Sequence, residues 1–439
     1  MENAGHPLTR DEKRLLAVWK RNLRRGGTYL DRGSKEGVKD LTDKILDAEE
    51  EFLTNIREDS RKLELDSSML QGLPEDYLAS HPVDPCTGKL TIDKKMSNVS
   101  PILMYCHEQS TREKVYRLLY SLGSPANESV LLRLLGLRRK KAQILGYSNW
   151  AEYQLEDQIA STVIRTTAFI DDCARAITIA SNAEQNEIKK LLREQDGIEV
   201  KPWDLSYGNA LLQKRLIPAF DEKSTRQYFA VGRVFPAIQR MIQNLFSLRF
   251  QGMNAPAAWH PTVTSCFVFD DSGDKEVLIG RLFFDIYTRD GKLDGACEYS
   301  VRAPVDDKRL AEAILCANIS SENACLSLME VKDLLHELGH CVHCLVGKQR
   351  FAQFAGIGEP ARQKDFTEAP SEMLELWLED PRSFAFAVNE EGENIPEDVL
   401  SRLLMAEKIG RGCFERNIML TKARYSVSAT QTQSKIHHG

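Results

Sequence analysis

The chain has 439 residues, of which 42% are hydrophobic and 28% are charged, and its formal net charge is −6 at pH 7. These fractions are typical of a globular protein with enough apolar residues for a sizeable core, and they exclude disorder as the main state. The negative net charge argues against nucleic acid or an anionic membrane as a main partner, since both attract a positive surface.

Signals for export or membrane insertion are missing from the sequence. The N-terminal stretch MENAGHPLTRDEKRLL has no apolar core, and no segment reaches the roughly 18 consecutive apolar residues of a membrane-spanning helix. The ten cysteines show no framework-like spacing, which indicates reduced thiols. We therefore expect a cytoplasmic protein and a monomer, and a mitochondrial location would require a presequence upstream of this chain.

The apolar residues of the first 250 positions have mainly helical spacing, so residues 1–250 are expected to form a helical lobe. Two amphipathic helices are predicted between Asp11 and about Leu65, with a break at Gly26-Gly27. Further helices are predicted at 111–122, 128–145, 149–195 and 222–247.

Strand-like alternation replaces the helical period between residues 259 and 302. Turn residues at 271–273 and 289–292 separate three apolar runs, and a fourth run follows at 311–319. The spacing predicts an antiparallel β-meander over residues 251–320, since the turn residues stand where hairpins need them. An edge strand beside the following helix would be able to bind an extended peptide.

The next segment, VKDLLHELGHCVHCLVG at 331–347, contains an HExxH pattern. A spacing of four places His336 and His340 one turn apart on the same helix face, where both can bind one Zn²⁺. Glu337 projects beside that position and is predicted to be the general base for a zinc-activated water. The alternative is that both histidines are polar-face residues of an amphipathic helix.

Three candidates compete for the third ligand. His343 lies one further turn along, but three ligands over two helical turns would strain to reach one ion, so a supporting or substrate-facing role suits it better. The pair Cys341 and Cys344 has CxxC spacing without a second CxxC, which favours buried thiols. A carboxylate from a later segment is the remaining candidate, and Glu368 supplies one.

A second helix is predicted around Glu368, within a zinc-binding helical region at 321–425. Thr367 can cap this helix, and Pro370 is tolerated in its first turn. Glu372 and Glu375, one and two turns beyond Glu368, are candidates to orient the histidine ligands. The apolar face is predicted to consist of Met373, Leu374 and Trp377.

The segments HELGH and DFTEAPSEMLELW together resemble the thimet-type oligopeptidase family of zinc metallopeptidases. Other stretches also look like family segments: LRRKKAQILGYSNWAEY, WHPTV and GRLFFDIYTRDGKLDGA. The resemblance implies a mainly α, two-lobed zincin-type fold with a small antiparallel β-sheet beside the active-site helix. It assigns one zinc ion to His336, His340 and Glu368, assigns the general base to Glu337, and implies cleavage of internal bonds in short unstructured peptides.

The resemblance extends from Leu15 to about Arg416 and starts part-way into the family's N-terminal helical region. The family continues into a segment whose His and Tyr residues bind substrate, whereas residues 426–439 of this sequence form a polar tail. The alternative expectation is therefore a zinc-binding helical scaffold without catalytic turnover.

Overall fold

The computed structural model describes residues 7–218, 220–253, 258–292, 295–306, 308–357 and 364–431. The fold is mainly helical, as the sequence predicted. The α-helices are α1 Arg10–Arg25, α2 Arg32–Arg57, α3 Glu75–Ser80, α4 Met96–Tyr105, α5 Gln109–Tyr120, α6 Ala126–Ile144, α7 Trp150–Leu155, α8 Val163–Asp196, α9 Leu205–Leu216, α10 Glu222–Thr225, α11 Val231–Phe246, α12 Leu328–Val346, α13 Ala369–Glu375, α14 Glu397–Lys408, α15 Arg411–Asn417 and α16 Tyr425–Gln431. In the described part of the chain, no helix combines the length and apolar character needed to cross a membrane.

The chain forms two compact units and passes between them several times. The sheet unit consists of Met1–Asn22, Asp157–Ser161 and Asp221–Leu404, and the helical unit consists of Leu23–Glu156, Thr162–Phe220 and Met405–Gly439. The units therefore divide the chain at positions other than residue 250, where the sequence placed the end of the helical lobe.

In the helical unit, α2 packs on α6 through a core that includes Ile45, Ala48, Val130 and Leu134. The single helix expected over 149–195 is divided into α7 and α8. Helix α8 begins because the Thr162 side chain caps it, and it ends at Gly197, which adopts the left-handed conformation with φ 66°. This unit also contains a small two-stranded antiparallel sheet, β1 Leu63–Asp66 with β2 Lys89–Ile92, that the sequence did not predict.

A fully buried ion pair links α5 to the start of α9 in the helical unit. The Arg112 guanidinium donates to Asp204 Oδ1 from Nε at 3.0 Å and from Nη2 at 2.8 Å, and both side chains are fully buried. Gln109 Nε2 donates to the other oxygen, Asp204 Oδ2, at 2.7 Å. Because each charged group has hydrogen-bonding partners, burial of the pair is tolerated.

The sheet unit contains five strands in the order β3-β4-β5-β7-β6. Their bounds are β3 Leu248–Gly252, β4 Thr264–Asp270, β5 Val277–Tyr287, β6 Cys297–Arg302 and β7 Ala311–Ile319. The meander prediction is wrong at one connection, because β5 pairs with β7 in parallel and β6 pairs with β7 instead of β5. Strand β6 thus lies at the edge of the sheet.

The expected hairpin turn at 289–292 has another role, which explains the strand order. Arg289 and Lys292 fold back onto Asp285, whose side chain is almost fully buried near the end of β5. The Lys292 ammonium also donates to the backbone carbonyls of Tyr287 and Ala317, so it joins the ends of β5 and β7. These bonds hold the turn residues against the sheet and leave no tight hairpin to β6.

Helix α12 packs against β7 and β6 with a continuous buried face. It begins at a capping box, in which the Ser327 hydroxyl accepts from the backbone N–H of Glu330 and the Glu330 carboxylate accepts from the backbone N–H of Ser327. The helix therefore starts three residues before the motif-bearing segment at 331–347. Helix α13 packs across α12.

Candidate metal centre

Two histidines on α12 form the base of the site. His336 and His340 lie one turn apart, and their Nε2 atoms are 3.2 Å from each other. The ring centroids are 4.9 Å apart with nearly perpendicular planes, so the two nitrogens converge on one point instead of stacking. The spacing of four residues thus places the two imidazole rings side by side on one face of α12.

Glu368 brings a third potential ligand atom from the residue before α13. Its Oε2 lies 3.2 Å from His336 Nε2 and 3.0 Å from His340 Nε2. Among the described residues, these three are the one group of three or more His, Cys, Asp or Glu side chains whose ligand atoms lie close enough for one ion.

The donor set fits zinc in chemistry and in size. Two imidazoles and a carboxylate are a common ligand set of catalytic zinc. With bonds of about 2.0–2.1 Å and tetrahedral angles, ligand atoms are separated by about 3.3 Å. The three observed separations, 3.0 to 3.2 Å, are close to that value.

Glycine at position 339 allows α13 to approach α12 closely enough for this triangle. A Cβ atom added to Gly339 would lie 2.7 Å from Ser371 Cα, which is a backbone clash. Ser371 in turn donates its hydroxyl to the Glu368 carbonyl at 2.8 Å and to the Glu368 carboxylate at 3.2 Å. The close approach and these hydrogen bonds fix Glu368 relative to His340.

The start of α13 differs from the prediction in one respect. Thr367 was expected to cap the helix, but Glu368 occupies the N-cap position and its side chain makes no capping hydrogen bond. The reason is that the Glu368 carboxylate points at the histidines instead of at its own helix. The predicted apolar face is also only partly correct, since Leu374 is buried whereas Met373 and Trp377 are more than 40% exposed.

Glu375 contacts the far side of the His336 ring. Its Oε1 lies 2.6 Å from His336 Nδ1, which leaves Nε2 directed at Glu368. This hydrogen bond raises the pKa of His336, and the nearby charges of Glu337 and Glu368 add to the effect against the opposing influence of burial. Among the described contacts, the exposed Glu372 carboxylate touches neither histidine, so the two candidates are not equivalent.

The remaining candidates from the sequence lie outside the ligand triangle. The His343 ring packs edge-on against Phe366 at 6.0 Å between centroids, and His343 is not a member of the convergent group. Cys341 and Cys344 are fully buried, and burial raises the pKa of both thiols, that of Cys344 to about 11. Such thiols have little tendency to bind a metal as thiolates.

Glu337 faces a cavity of about 400 Å³ that also reaches the edge strand β6. The lining residues are Cys297, Glu298, Tyr299, Ser300, Glu337, His340, Ile357, Thr367 and Glu368. Burial raises the pKa of Glu337 and Glu368 adds to this, while His336 and the backbone N–H of Glu298 lower it. The sequence missed the contribution of β6, because that strand reaches the site only through its pairing with β7.

Residues 102–425 of the chain match Peptidase family M3. The chain belongs to this family.

Several curated proteins are similar to this M3 chain over most of its length. It is 27% identical over 383 residues to a probable thimet oligopeptidase of Arabidopsis thaliana, covering 85% of this chain and 53% of that protein. It is 24% identical over 431 residues to a thimet-like oligopeptidase of Dictyostelium discoideum, covering 93% of this chain and 63% of that protein. Oligopeptidase A of Escherichia coli K12 is 26% identical over 378 residues, covering 80% of this chain and 54% of the relative.

The chain therefore spans only between 53% and 63% of the length of these relatives. Family M3 implies a metal cofactor, and the triangle of His336, His340 and Glu368 is the group that fits one. The matched range 102–425 includes all three residues, Glu337 and Glu375.

Proposed function

We propose that this chain is a zinc-dependent metallopeptidase that hydrolyses internal bonds of short, unstructured peptides. The observation that carries the proposal is the convergence of His336, His340 and Glu368 on one point, with Glu337 in the cavity that His340 and Glu368 also line. M3 membership supports peptide hydrolysis as the reaction.

His336, His340 and Glu368 would hold the zinc ion. When bound, zinc lowers the pKa of a water molecule toward 7 and polarises the carbonyl of the bond to be cut. Glu337 accepts the proton of the attacking water and later gives it to the nitrogen of the leaving amine. Its partly buried position favours this exchange, because burial raises its pKa and makes it a better proton acceptor than an exposed carboxylate.

The shape of the site supports a peptide substrate. Strand β6 has a partner on one side, β7, so its other edge can pair with an extended main chain. A peptide lying along β6 would pass Glu298 and Ser300, which line the cavity together with Glu337. A flexible peptide can adopt this extended form, whereas the same bond inside a folded protein is already paired.

The proposal is tested by separating metal binding from turnover. In Glu337→Gln, the amide can no longer accept a proton, while the three ligands are unchanged. We expect zinc content equal to wild type by elemental analysis and a loss of about 10²–10⁴ in kcat/KM for an internally quenched peptide. His336→Ala should lose both zinc and cleavage.

Two outcomes would contradict the proposal. Cleavage that persists in Glu337→Gln would exclude this residue as the base. Wild-type protein that binds stoichiometric zinc but shows no chelator-sensitive cleavage of any short peptide would establish the alternative, a zinc-binding scaffold without turnover. A cytoplasmic location and a monomeric state stay predictions from the sequence, checked by fractionation and by sedimentation.

A further inference from the structure

Two cysteines face each other across the edge of the sheet. Cys297 on β6 and Cys316 on β7 are direct register partners in an antiparallel pair. Side chains of such partners project from the same face, and their Cα atoms are about 4.5–5.5 Å apart. A disulfide requires a Cα separation of about 4.4–6.8 Å, and the spacing of antiparallel register partners lies within this range.

The surroundings show that the two thiols lie near each other. Cys297 and Cys316 are close enough to interact electrostatically, and the Tyr299 hydroxyl lies within the same range of both cysteines. Both cysteines are free thiols and partly buried, so a small reagent can reach them.

We propose that Cys297 and Cys316 form a reversible cross-strand disulfide, which makes the edge of the sheet a modification site for small-molecule disulfides of the oxidised glutathione class. The Cys297 thiolate attacks one sulfur of the reagent, forms a mixed disulfide and releases one small thiol. The Cys316 thiolate then attacks the Cys297 sulfur, closes the protein disulfide and releases the second small thiol. The protein loses two protons and two electrons, and the reagent gains both.

Four other cysteines lack this combination of a partner and access. Cys341 and Cys344 are near each other on α12 but fully buried, so a reagent cannot reach them in the folded protein. Cys86 and Cys325 are exposed, and no described strand pairing places another cysteine opposite either of them, so each would only collect a mixed disulfide.

The environment of Cys316 makes the closing step slow at neutral pH. Burial raises the pKa of this thiol to about 11, with contributions from Asp285 and Cys297, while Lys292 and Arg289 act in the opposite direction. The thiolate fraction is therefore small, and exchange takes place over long incubation or above neutral pH. The pair accordingly stays reduced in a reducing compartment and responds to sustained oxidation.

Oxidation would change the wall of the candidate site. Cys297 and Tyr299 both line the cavity that contains Glu337. In the reduced protein the Tyr299 hydroxyl lies near the Cys297 thiol, and oxidation converts that thiol to a sulfur bonded to Cys316 of β7. Oxidation would therefore change the group next to Tyr299 and would hold the edge strand β6 more tightly to β7.

The test uses the full chain and oxidised glutathione at about pH 8.5, near the ordinary pKa of a cysteine. After incubation the remaining thiols are alkylated, and the protein is digested without reduction and mapped by mass spectrometry. We expect a cross-linked peptide pair joining Cys297 to Cys316, reversed by dithiothreitol. Melting of the oxidised protein should shift upward by several °C, roughly as expected for closing a short loop.

Matched variants separate this bond from general oxidation. Cys297→Ser and Cys316→Ser should each lose the cross-link and leave a glutathione adduct on the other cysteine, whereas Cys86→Ser should keep the cross-link. Wild-type protein in which Cys297 and Cys316 carry separate adducts or stay unmodified would overturn the proposal. The readout requires no peptidase activity, so its failure is distinguishable from failure of the proposed function.

Discussion

Replacement of Glu375 by glutamine tests how the chain holds His336 ready for a metal. In the structure the Glu375 carboxylate lies 2.6 Å from His336 Nδ1, on the side of the ring opposite Nε2, the candidate ligand atom. Carboxylate partners of this kind fix the tautomer and orientation of a ligand histidine and increase its basicity. The amide of glutamine keeps the size of the side chain but removes its charge.

The geometry predicts that Glu375→Gln loses zinc affinity by an amount at the lower end of the range usual for such partners. Loss of such a partner typically costs about 10-fold to 100-fold in metal affinity, or about 1.4–2.7 kcal/mol. The Glu375 side chain is 35% exposed, so water screens the charge and can replace part of the lost hydrogen bond. The glutamine oxygen also remains able to accept from Nδ1. We therefore expect zinc to bind about 10-fold more weakly to Glu375→Gln.

The assay is a competition titration of zinc between the protein and a chromophoric chelator near neutral pH. Glu372→Gln is the matched control. Glu372 lies one turn before Glu375 and contacts neither histidine in the described structure, so this variant removes the same charge without removing a hydrogen bond to His336. Equal zinc affinities for wild type and Glu375→Gln would refute the reasoning. Equal weakening by both variants would show that net charge, and not the hydrogen bond to His336, sets the affinity.

Two further predictions concern stability. Asp204→Ala leaves the Arg112 guanidinium buried without its charged partner and should lower the free energy of unfolding in urea by about 3–5 kcal/mol. The double variant Arg112→Met, Asp204→Leu should lose less unfolding free energy than the sum of the two single changes. A cost of Asp204→Ala below about 1 kcal/mol would contradict this estimate. Burial alone would raise the pKa of Asp285, but hydrogen bonds from Arg289, Trp259 and Lys292 outweigh it and lower that pKa well below its ordinary value. The resulting stabilisation is full at neutral pH and is lost as pH falls below about 3.9 toward the folded-state pKa. Unfolding free energy measured against pH should therefore fall less steeply in Asp285→Asn than in wild type below that point, and parallel curves would show that Asp285 contributes no acid sensitivity.

The convergence of the three candidate ligands could be anticipated from the sequence only in part. The distance between His336 and His340 follows from helical periodicity alone, and Glu368 stands before a helix with a proline in its first turn. The choice between Glu372 and Glu375 could not be made from spacing. It depends on how α13 lies across α12, and the close approach at Gly339 sets that crossing.

The strand order could not be read from the sequence for a related reason. Turn residues at 289–292 fit a hairpin, but Arg289 and Lys292 pair with the buried Asp285 carboxylate instead of closing a tight turn to β6. The facing cysteines were likewise hidden, since residues 297 and 316 become partners only through the antiparallel pairing of β6 with β7. The alternation of apolar and polar residues predicts that a segment is a strand, whereas the strand with which it pairs depends on contacts between residues distant in the sequence.

The position of β6 also has a consequence for assembly of the protein. In the described sheet its one neighbour is β7, which lies later in the chain, and no earlier strand offers it a partner. During synthesis, β6 is therefore made before β7, the strand with which it pairs. Strands β3, β4 and β5 can pair as they appear, while the strand that borders Glu337 has to wait for β7 to pair in parallel with β5. The wall of the candidate site is thus completed late, after the rest of the sheet, and α12 has β6 to pack against only from that stage onward.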